Sequence, residues 1–156
     1  MKLLRVSLAV LTLIGVTALA VVTRNAESPG DRMVAAGEKF LASLKADQKA
    51  KAVLDFNDKE RFNWNFVPLQ TRDRKSTRKG LPLEEMTSEQ KKAALELLKS
   101  CTSGTGYEAA TTIMSLESIL RDLEKGGAMV RNPEWYFFTV FGTPSDRKST
   151  RLNSSH

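Results

Sequence analysis

The feature that most constrains the fold is the stretch Met86–Lys125, which has the pattern of two helices joined by a short turn. Thr87 and Gln90 have the spacing of a capping box, which predicts a helix over residues 88–101. After a Ser/Gly turn, apolar residues in steps of four and three predict a second helix over about 105–125. We expect this second helix to bury its seam, which consists of Ala109, Ile113, Leu116, Leu120 and Leu123.

Two more helices are predicted upstream of this stretch. Asp31 is placed as the N-cap of a helix over about 32–45. The residues Met33, Gly37, Phe40, Leu41 and Leu44 share one face of that helix at helical spacing. A shorter helix is expected over about 47–54.

Two segments have the composition of strands. In residues 57–67, Phe62, Trp64 and Phe66 alternate with asparagines, which predicts a half-buried strand with its aromatic side chains in the core. Residues 133–141 are apolar on both faces and predict an interior strand. Such a strand needs neighbours on both edges, and only 57–67 is recognisable as one, so the remaining partners are expected downstream of Ser145. The predicted fold class is α+β, mainly helical, with the helices packing on a small, incomplete β-sheet.

The N-terminus has the pattern of an export signal. Lys2 and Arg5 precede an apolar run from Leu8 to Val22, and Ala18-Leu19-Ala20 offers an A-x-A-like cleavage site. Residues 1–22 are therefore expected to be a signal peptide of a periplasmic or secreted protein. The alternative is an uncleaved N-terminal anchor, because the apolar stretch approaches the length that spans a bilayer. In the domain division that follows, 23–30 is a linker and 31–145 is the truncated N-terminal part of a longer domain.

The C-terminus, residues 146–156, has a different character. Its sequence DRKSTRLNSSH back-translates to one reading frame of a common sequencing adapter, which predicts a non-native tail. The alternative is a basic, Ser-rich disordered tail.

The positive charge of the chain lies mostly at its ends. The chain carries a net charge of +6, of which two charges belong to Lys2 and Arg5 and a net two to residues 146–156, which leaves +2. Nucleic-acid binding is therefore not expected, and a membrane is expected to be reached only through residues 1–22 if they stay uncleaved. One internal loop is strongly basic. We predict it as an anion-binding loop, with a solvated loop as the alternative, and its basic residues are Arg72, Arg74, Lys75, Arg78 and Lys79.

Few residues offer catalytic chemistry. The only histidine is His156, so residues 1–145 lack the usual triads and histidine metal sites. Cys101 is the only cysteine and is expected to be a small buried residue on a helix. Glu84 and Glu85 are explained by the following helix start, and Glu117 with Arg121 by an i,i+4 surface pair. No catalytic residue, metal ligand or cofactor is predicted.

Four ordered blocks, FNWNFVPLQ, TRKGLPLEEMTSEQ, GYEAATTIMSLESILRDLE and NPEWYFFTVFGTPS, resemble the N-terminal part of the domain-of-unknown-function 3500 family. The resemblance implies a longer exported protein that continues after FGTPS into β-rich, histidine-containing segments. It brings no established activity, cofactor or catalytic residue.

Three hypotheses for the function follow. The first is an uncharacterised exported protein of which this chain is a scaffold portion without complete catalytic machinery. The second is part of an exported hydrolase or metalloenzyme whose site lies downstream. The third is an envelope binding module that uses the basic loop.

Overall fold

The computed structural model describes residues 28–65 and 69–145. The predictions for residues 1–22, for most of the 23–30 linker, for Phe66 and for 146–156 lie outside these residues. The described part contains four α-helices, α1 (Pro29–Ser43), α2 (Ala46–Ala52), α3 (Ser88–Cys101) and α4 (Gly104–Leu123). Its strands are all two residues long: β1 (Val53–Leu54), β2 (Leu81–Pro82), β3 (Phe137–Phe138) and β4 (Val140–Phe141). The prediction of a mainly helical α+β fold is confirmed. Within the described residues, no helix combines the length and apolar character needed to cross a bilayer.

Helix α1 begins earlier than predicted, because its cap is Ser28 and not Asp31. The Ser28 hydroxyl accepts a hydrogen bond from the Asp31 backbone N–H at 3.1 Å. The Asp31 carboxylate accepts one from the Ser28 backbone N–H at 3.0 Å. Asp31 therefore stands at the third helical position of a capping box, and these bonds hold its pKa below the ordinary value. Aspartate is common both as the N-cap residue and at the third helical position, so the sequence did not show which of the two positions Asp31 takes.

The core lies where α1 and α3 pack together over α2 and β2. The buried apolar residues are Phe40, Leu44, Ala52, Leu81, Leu83, Met86, Ala93 and Ala94. Phe40 is fully buried and packs against Phe138, with ring centroids 5.8 Å apart. The predicted start of α3 is confirmed, since the Thr87 hydroxyl accepts a hydrogen bond from the Gln90 backbone N–H.

Two buried glutamines join the helix ends around this core. Gln90 Nε2 donates to Gln48 Oε1 at 2.8 Å and to the Ser43 carbonyl at 2.8 Å. Gln48 Nε2 donates to the Glu85 carbonyl at 2.6 Å. Each side-chain carbonyl also accepts a bond from the backbone N–H at the start of its own helix, that of Lys45 or Thr87. The end of α1 and the starts of α2 and α3 therefore share one hydrogen-bonded network.

The segment predicted as one interior strand is divided at Thr139 into β3 and β4. β3 pairs antiparallel with β2, and β4 pairs parallel with β1. Each half of the segment therefore has one neighbouring strand within the described residues, and neither is the 57–67 segment that the sequence suggested. The expectation of further partners downstream of Ser145 stays a prediction. The partners were missed because each has only two residues, too few to show a strand period. Val53 and Leu54 also end the short helix earlier than predicted, at Ala52.

The aromatic strand predicted over 57–67 is wrong in its described part. Residues Lys59–Phe62 form a 3₁₀ turn. Phe62 is 79% exposed and Trp64 is 83% exposed, so neither belongs to the core. Alternation of aromatic and polar residues does not by itself supply a neighbouring strand, and here none is paired with this segment within the described residues.

Helix α4 forms at the predicted place but does not bury its predicted seam. Ile113 is 60% exposed and Leu123 is 76% exposed, and the helix contributes no buried residue. The side turned toward the protein carries Ala110, Met114 and Glu117 together with Ile113 of the seam. The prediction of a buried seam is therefore wrong for the described part of the chain.

Candidate functional site

A large groove of about 1300 Å³ lies between α1, α3, α4 and the segment 130–145. Its walls are mainly apolar because each helix turns large aliphatic or thioether side chains toward it. These side chains are Met33 and Val34 of α1, Leu97 and Leu98 of α3, and Ile113 and Met114 of α4. The volume exceeds the range of about 300–1000 Å³ usual for small-molecule sites. The groove can hold an elongated apolar molecule.

The segment after β4 forms one edge of this groove. Gly142 has φ of +78°, and its N–H donates to the Leu54 carbonyl at 2.9 Å. Gly37 of α1 is buried, and a Cβ atom built on it would lie 3.2 Å from Pro144 Cγ. A larger side chain at position 37 would push residues 143–145 away from α1, so the small residue preserves the shape of the groove.

Arg131 forms the charged part of the wall. Its side chain is 19% exposed and lies 3.7 Å from Glu117. It also donates to both Glu124 carboxylate oxygens, at 2.8 and 3.3 Å. The hydrogen bonds from Arg131 lower the pKa of Glu124, and the same contact raises the pKa of Arg131. The predicted Glu117–Arg121 pair is not the one found, because Glu117 lies beside Arg131 while Arg121 pairs with Asp122.

Tyr136 supplies a hydroxyl to the same wall. It donates to the Ile113 carbonyl at 3.4 Å, a carbonyl inside α4. Burial raises the pKa of Tyr136, the Glu117 carboxylate raises it further, and Arg78 acts in the opposite direction. The hydroxyl therefore stays protonated at neutral pH; its hydrogen is directed to the Ile113 carbonyl, and its oxygen can accept a hydrogen bond from a ligand. Neither Arg131 nor Tyr136 was selected from the sequence. Arg131 lies in a stretch without a period, and Tyr136 lies in residues 133–141, which were predicted only as an apolar interior strand.

Cys101 lies at the rim of the groove and is exposed, so its predicted burial is wrong. It is the last residue of α3, and the chain turns away there into the Thr102–Ser103 connection. Its sulfur lies 3.8 Å from the Ser100 hydroxyl.

The predicted anion-binding loop is an exposed turn, and all five of its basic residues are exposed. Arg74 Nη2 donates to the Gly127 carbonyl at 2.5 Å, and Arg78 Nη2 donates to the Asn65 carbonyl at 3.3 Å. Lys75, Arg78 and Lys79 line a smaller cleft of about 720 Å³. That cleft also contains the carboxylates of Asp58, Glu60, Glu84 and Glu85. Anion binding by Arg72, Arg74, Lys75, Arg78 and Lys79 stays a prediction.

The two carboxylates before α3 bind different segments: Glu84 binds residues 132–135, and Glu85 binds α2. Glu84 accepts hydrogen bonds from Asn132 Nδ2 at 2.8 Å and from Trp135 Nε1 at 2.9 Å. Glu85 pairs with Lys51 at 2.5 Å. These bonds add a role in positioning that the helix dipole alone did not predict. Within residues 28–65 and 69–145, no three His, Cys, Asp or Glu side chains are grouped so as to hold a metal ion.

Comparison with known proteins gives one family. A family model with the description "protein of unknown function (DUF3500)" matches residues 26–152. The match overlaps 146–152, and the non-native origin proposed for 146–156 stays a prediction. Searches of curated proteins and of solved structures gave no match.

Proposed function

Since the chain belongs to the DUF3500 family of proteins of unknown function, we propose its function from its own geometry: it is a binding domain of an exported protein, and it holds an elongated amphipathic molecule in the groove. The observation that supports this proposal is the groove itself, in which aliphatic and methionine side chains from three helices face one open space. Large apolar concavities with a few placed polar groups are the usual form of ligand sites.

The placement of polar groups indicates how the ligand lies. Arg131, Tyr136 and Glu117 lie in the wall formed by α4 and the segment 130–136. The apolar side chains of α1 and α3 lie on the other walls. An apolar body would contact Met33, Leu97 and Leu98. A polar end group would meet the Tyr136 hydroxyl and the Arg131 guanidinium. Burial of the apolar body supplies about 25 cal/mol per Å² of contact.

A matched pair of variants on α4 tests the site. Ala110 lines the groove, whereas Thr112 is exposed on another side of the same helix. We expect a panel of fatty acids, alkyl amines and alkyl alcohols of graded chain length to bind the wild type by calorimetry, with affinity that rises with chain length. Ala110→Trp should fill the groove and weaken binding at least about tenfold, while Thr112→Trp should bind as the wild type does.

Two results would contradict this assignment. One is that no compound of the panel binds the wild type. The other is that Ala110→Trp and Thr112→Trp bind equally well, which would place the ligand elsewhere. Circular dichroism of both variants separates loss of the site from loss of the fold.

Export is supported by the first 22 residues. Lys2 and Arg5 precede the apolar run, and cleavage after Ala20 would give a mature protein that begins at Val21. N-terminal sequencing of the protein from fractionated cells tests this. A protein found outside the cytoplasm that begins at Val21 is the expected result, and a membrane-bound protein that keeps Met1 would show the anchor instead. Recovery of the full-length protein in the cytoplasm would refute export.

A further inference from the structure

Phe62 and Trp64 are the most exposed large apolar side chains of the described residues, and they lie outside the groove. They are 79% and 83% exposed, a costly arrangement for aromatic side chains in water. They adjoin the basic loop, and together they form the basic–aromatic surface. It comprises Phe62, Trp64, Arg72, Lys75 and Lys79.

The exposure of these rings comes from a defined backbone. Asp58 caps the 3₁₀ turn by accepting a bond from the Glu60 N–H at 2.8 Å. Glu60 in turn accepts from Asn63 Nδ2 at 3.1 Å, and the Asn63 side-chain carbonyl accepts from Asn65 Nδ2 at 3.2 Å. The turn and its side-chain bonds therefore hold the two aromatic residues at the surface.

The basic loop is built beside this turn. Its own turn is closed by the bond from the Thr71 N–H to the Lys75 carbonyl, at 2.9 Å, and by the pairing of Gln70 with Ser76. Arg78 Nη2 reaches the Asn65 carbonyl at 3.3 Å and joins the loop to the aromatic turn. This bond holds the basic loop beside the aromatic turn, and Lys75 and Lys79 share a cleft with Asp58 and Glu60 of that turn.

We propose that the basic–aromatic surface docks on an anionic lipid bilayer. Indole and phenyl rings partition into the interfacial zone of a bilayer. Lysine and arginine near an anionic leaflet each add about fivefold in affinity. Residues 70–79 carry a local balance of +4, to which Arg72, Lys75 and Lys79 of this surface contribute three positive charges. The nearest carboxylates are Asp73 in the loop and those of the cleft that Lys75 and Lys79 also line. This departs from the expectation that a membrane is reached only through residues 1–22.

The ring contacts favour a bilayer over an anionic polymer. The Arg61 guanidinium carbon lies 4.2 Å from the Phe56 ring centroid and 5.4 Å from that of Phe62. One face of Phe62 is therefore already covered by a cation. Intercalation between two bases would need both faces of the ring, whereas insertion among lipid headgroups uses the exposed edge. A soluble anionic polymer is the competing outcome in the test.

The first experiment measures binding of the full chain to vesicles of phosphatidylcholine with about one-third phosphatidylglycerol, a composition that creates a negative surface potential. Arg72→Gln, Lys75→Gln and Lys79→Gln together should weaken binding by at least about tenfold. The matched control is Lys39→Gln, Lys49→Gln and Lys92→Gln, which removes the same charge from exposed positions elsewhere and should bind within about twofold of the wild type. All variants keep residues 1–27, so any binding through that segment is common to them.

The second experiment locates the aromatic side chains. Trp64 and Trp135 are the only tryptophans. Brominated acyl chains in the same vesicles should quench the fluorescence of the wild type, and Trp64→Phe should lose that quenching while it keeps most of its binding. Quenching that persists in Trp64→Phe, or equal vesicle binding of both triple variants, would overturn the proposal. Loss of binding to soluble heparin by the loop variant, with its vesicle binding unchanged, would also overturn it and favour the polymer.

Discussion

Helices α1 and α4 are the two longest helices described, and they differ in what covers their apolar faces. Helix α1 buries Phe40 completely and Gly37 as well, whereas α4 buries no residue although its apolar seam follows regular steps of four and three. Periodicity therefore identified the apolar side of each helix but not whether another element lies against it. Coverage depends on the partner. Helix α1 packs against α3, whereas the seam of α4 borders the open groove at Ile113 and is exposed at Leu116 and Leu123.

The buried polar groups follow the same division. Gln48 and Gln90 lie inside the covered region, and every hydrogen-bonding atom of these side chains has a partner. Along α4 the side-chain bonds are exposed, such as those of Ser115 and Ser118 to carbonyls one turn back. Such bonds compete with water and contribute little net stability. We therefore expect the two regions to respond differently to equivalent substitutions.

The largest contrast is expected between Phe40→Ala and Leu123→Ala. Removal of the fully buried Phe40 ring leaves a cavity beside Phe138, and we expect a loss of about 3–5 kcal/mol in the free energy of unfolding. Leu123 is 76% exposed, and its truncation should change stability by less than about 0.5 kcal/mol. Urea unfolding of both variants measures the difference. A large loss for Leu123→Ala would mean that the α4 seam is covered in solution.

A second contrast uses two glycines with positive φ. At Gly80, φ is +107° and an added Cβ would lie 2.4 Å from Thr139 Oγ1 and 2.9 Å from the Phe138 carbonyl oxygen. At Gly126, just after α4, φ is +83° and the added Cβ would meet open space. Gly80→Ala should therefore cost about 3 kcal/mol, from backbone strain and overlap together, and Gly126→Ala about 1 kcal/mol, from strain alone. Thermal unfolding compares them, and equal costs would contradict the close approach of β2 and β3.

The glutamine network offers a third test, confined to the covered region. Gln90→Leu keeps the side-chain size but leaves the Gln48 amide and the Ser43 carbonyl without their partner, so we expect a loss of about 2–3 kcal/mol. A double-mutant cycle with Gln48→Leu should give a coupling energy of at least about 1 kcal/mol. Additive losses would show that the two side chains act independently. Gln70→Leu is the control for an amide removed outside the core; Gln70 bonds to Val130 at 2.9 and 3.1 Å.

The sequence predicted those elements that carry their own signals. The capping box of Thr87 and Gln90 specified α3 to the residue, and the resemblance to DUF3500 is confirmed. The pairings of β1 with β4 and β2 with β3 could not be predicted, because two-residue strands have no period and their partners lie far apart in the chain. For the same reason the groove was not predicted: Arg131, Tyr136 and Pro144 come from a segment whose position depends on distant bonds, such as those of Glu84.

The ion pair between Arg131 and Glu124, the residue that follows α4, gives the smallest expected change in stability, and this change depends on pH. Arg131 holds the pKa of Glu124 below its ordinary value of 4.5. Because the folded-state pKa is the lower one, the pair stabilises the protein above about pH 4.5 and loses that contribution as pH falls through the folded-state pKa. The difference in melting temperature between the wild type and Glu124→Gln should therefore be small near neutral pH and should shrink below about pH 4.5. Glu108→Gln removes the same charge from an exposed position of α4 and controls for net charge, so an identical pH profile for both variants would exclude a specific contribution from the Arg131–Glu124 pair.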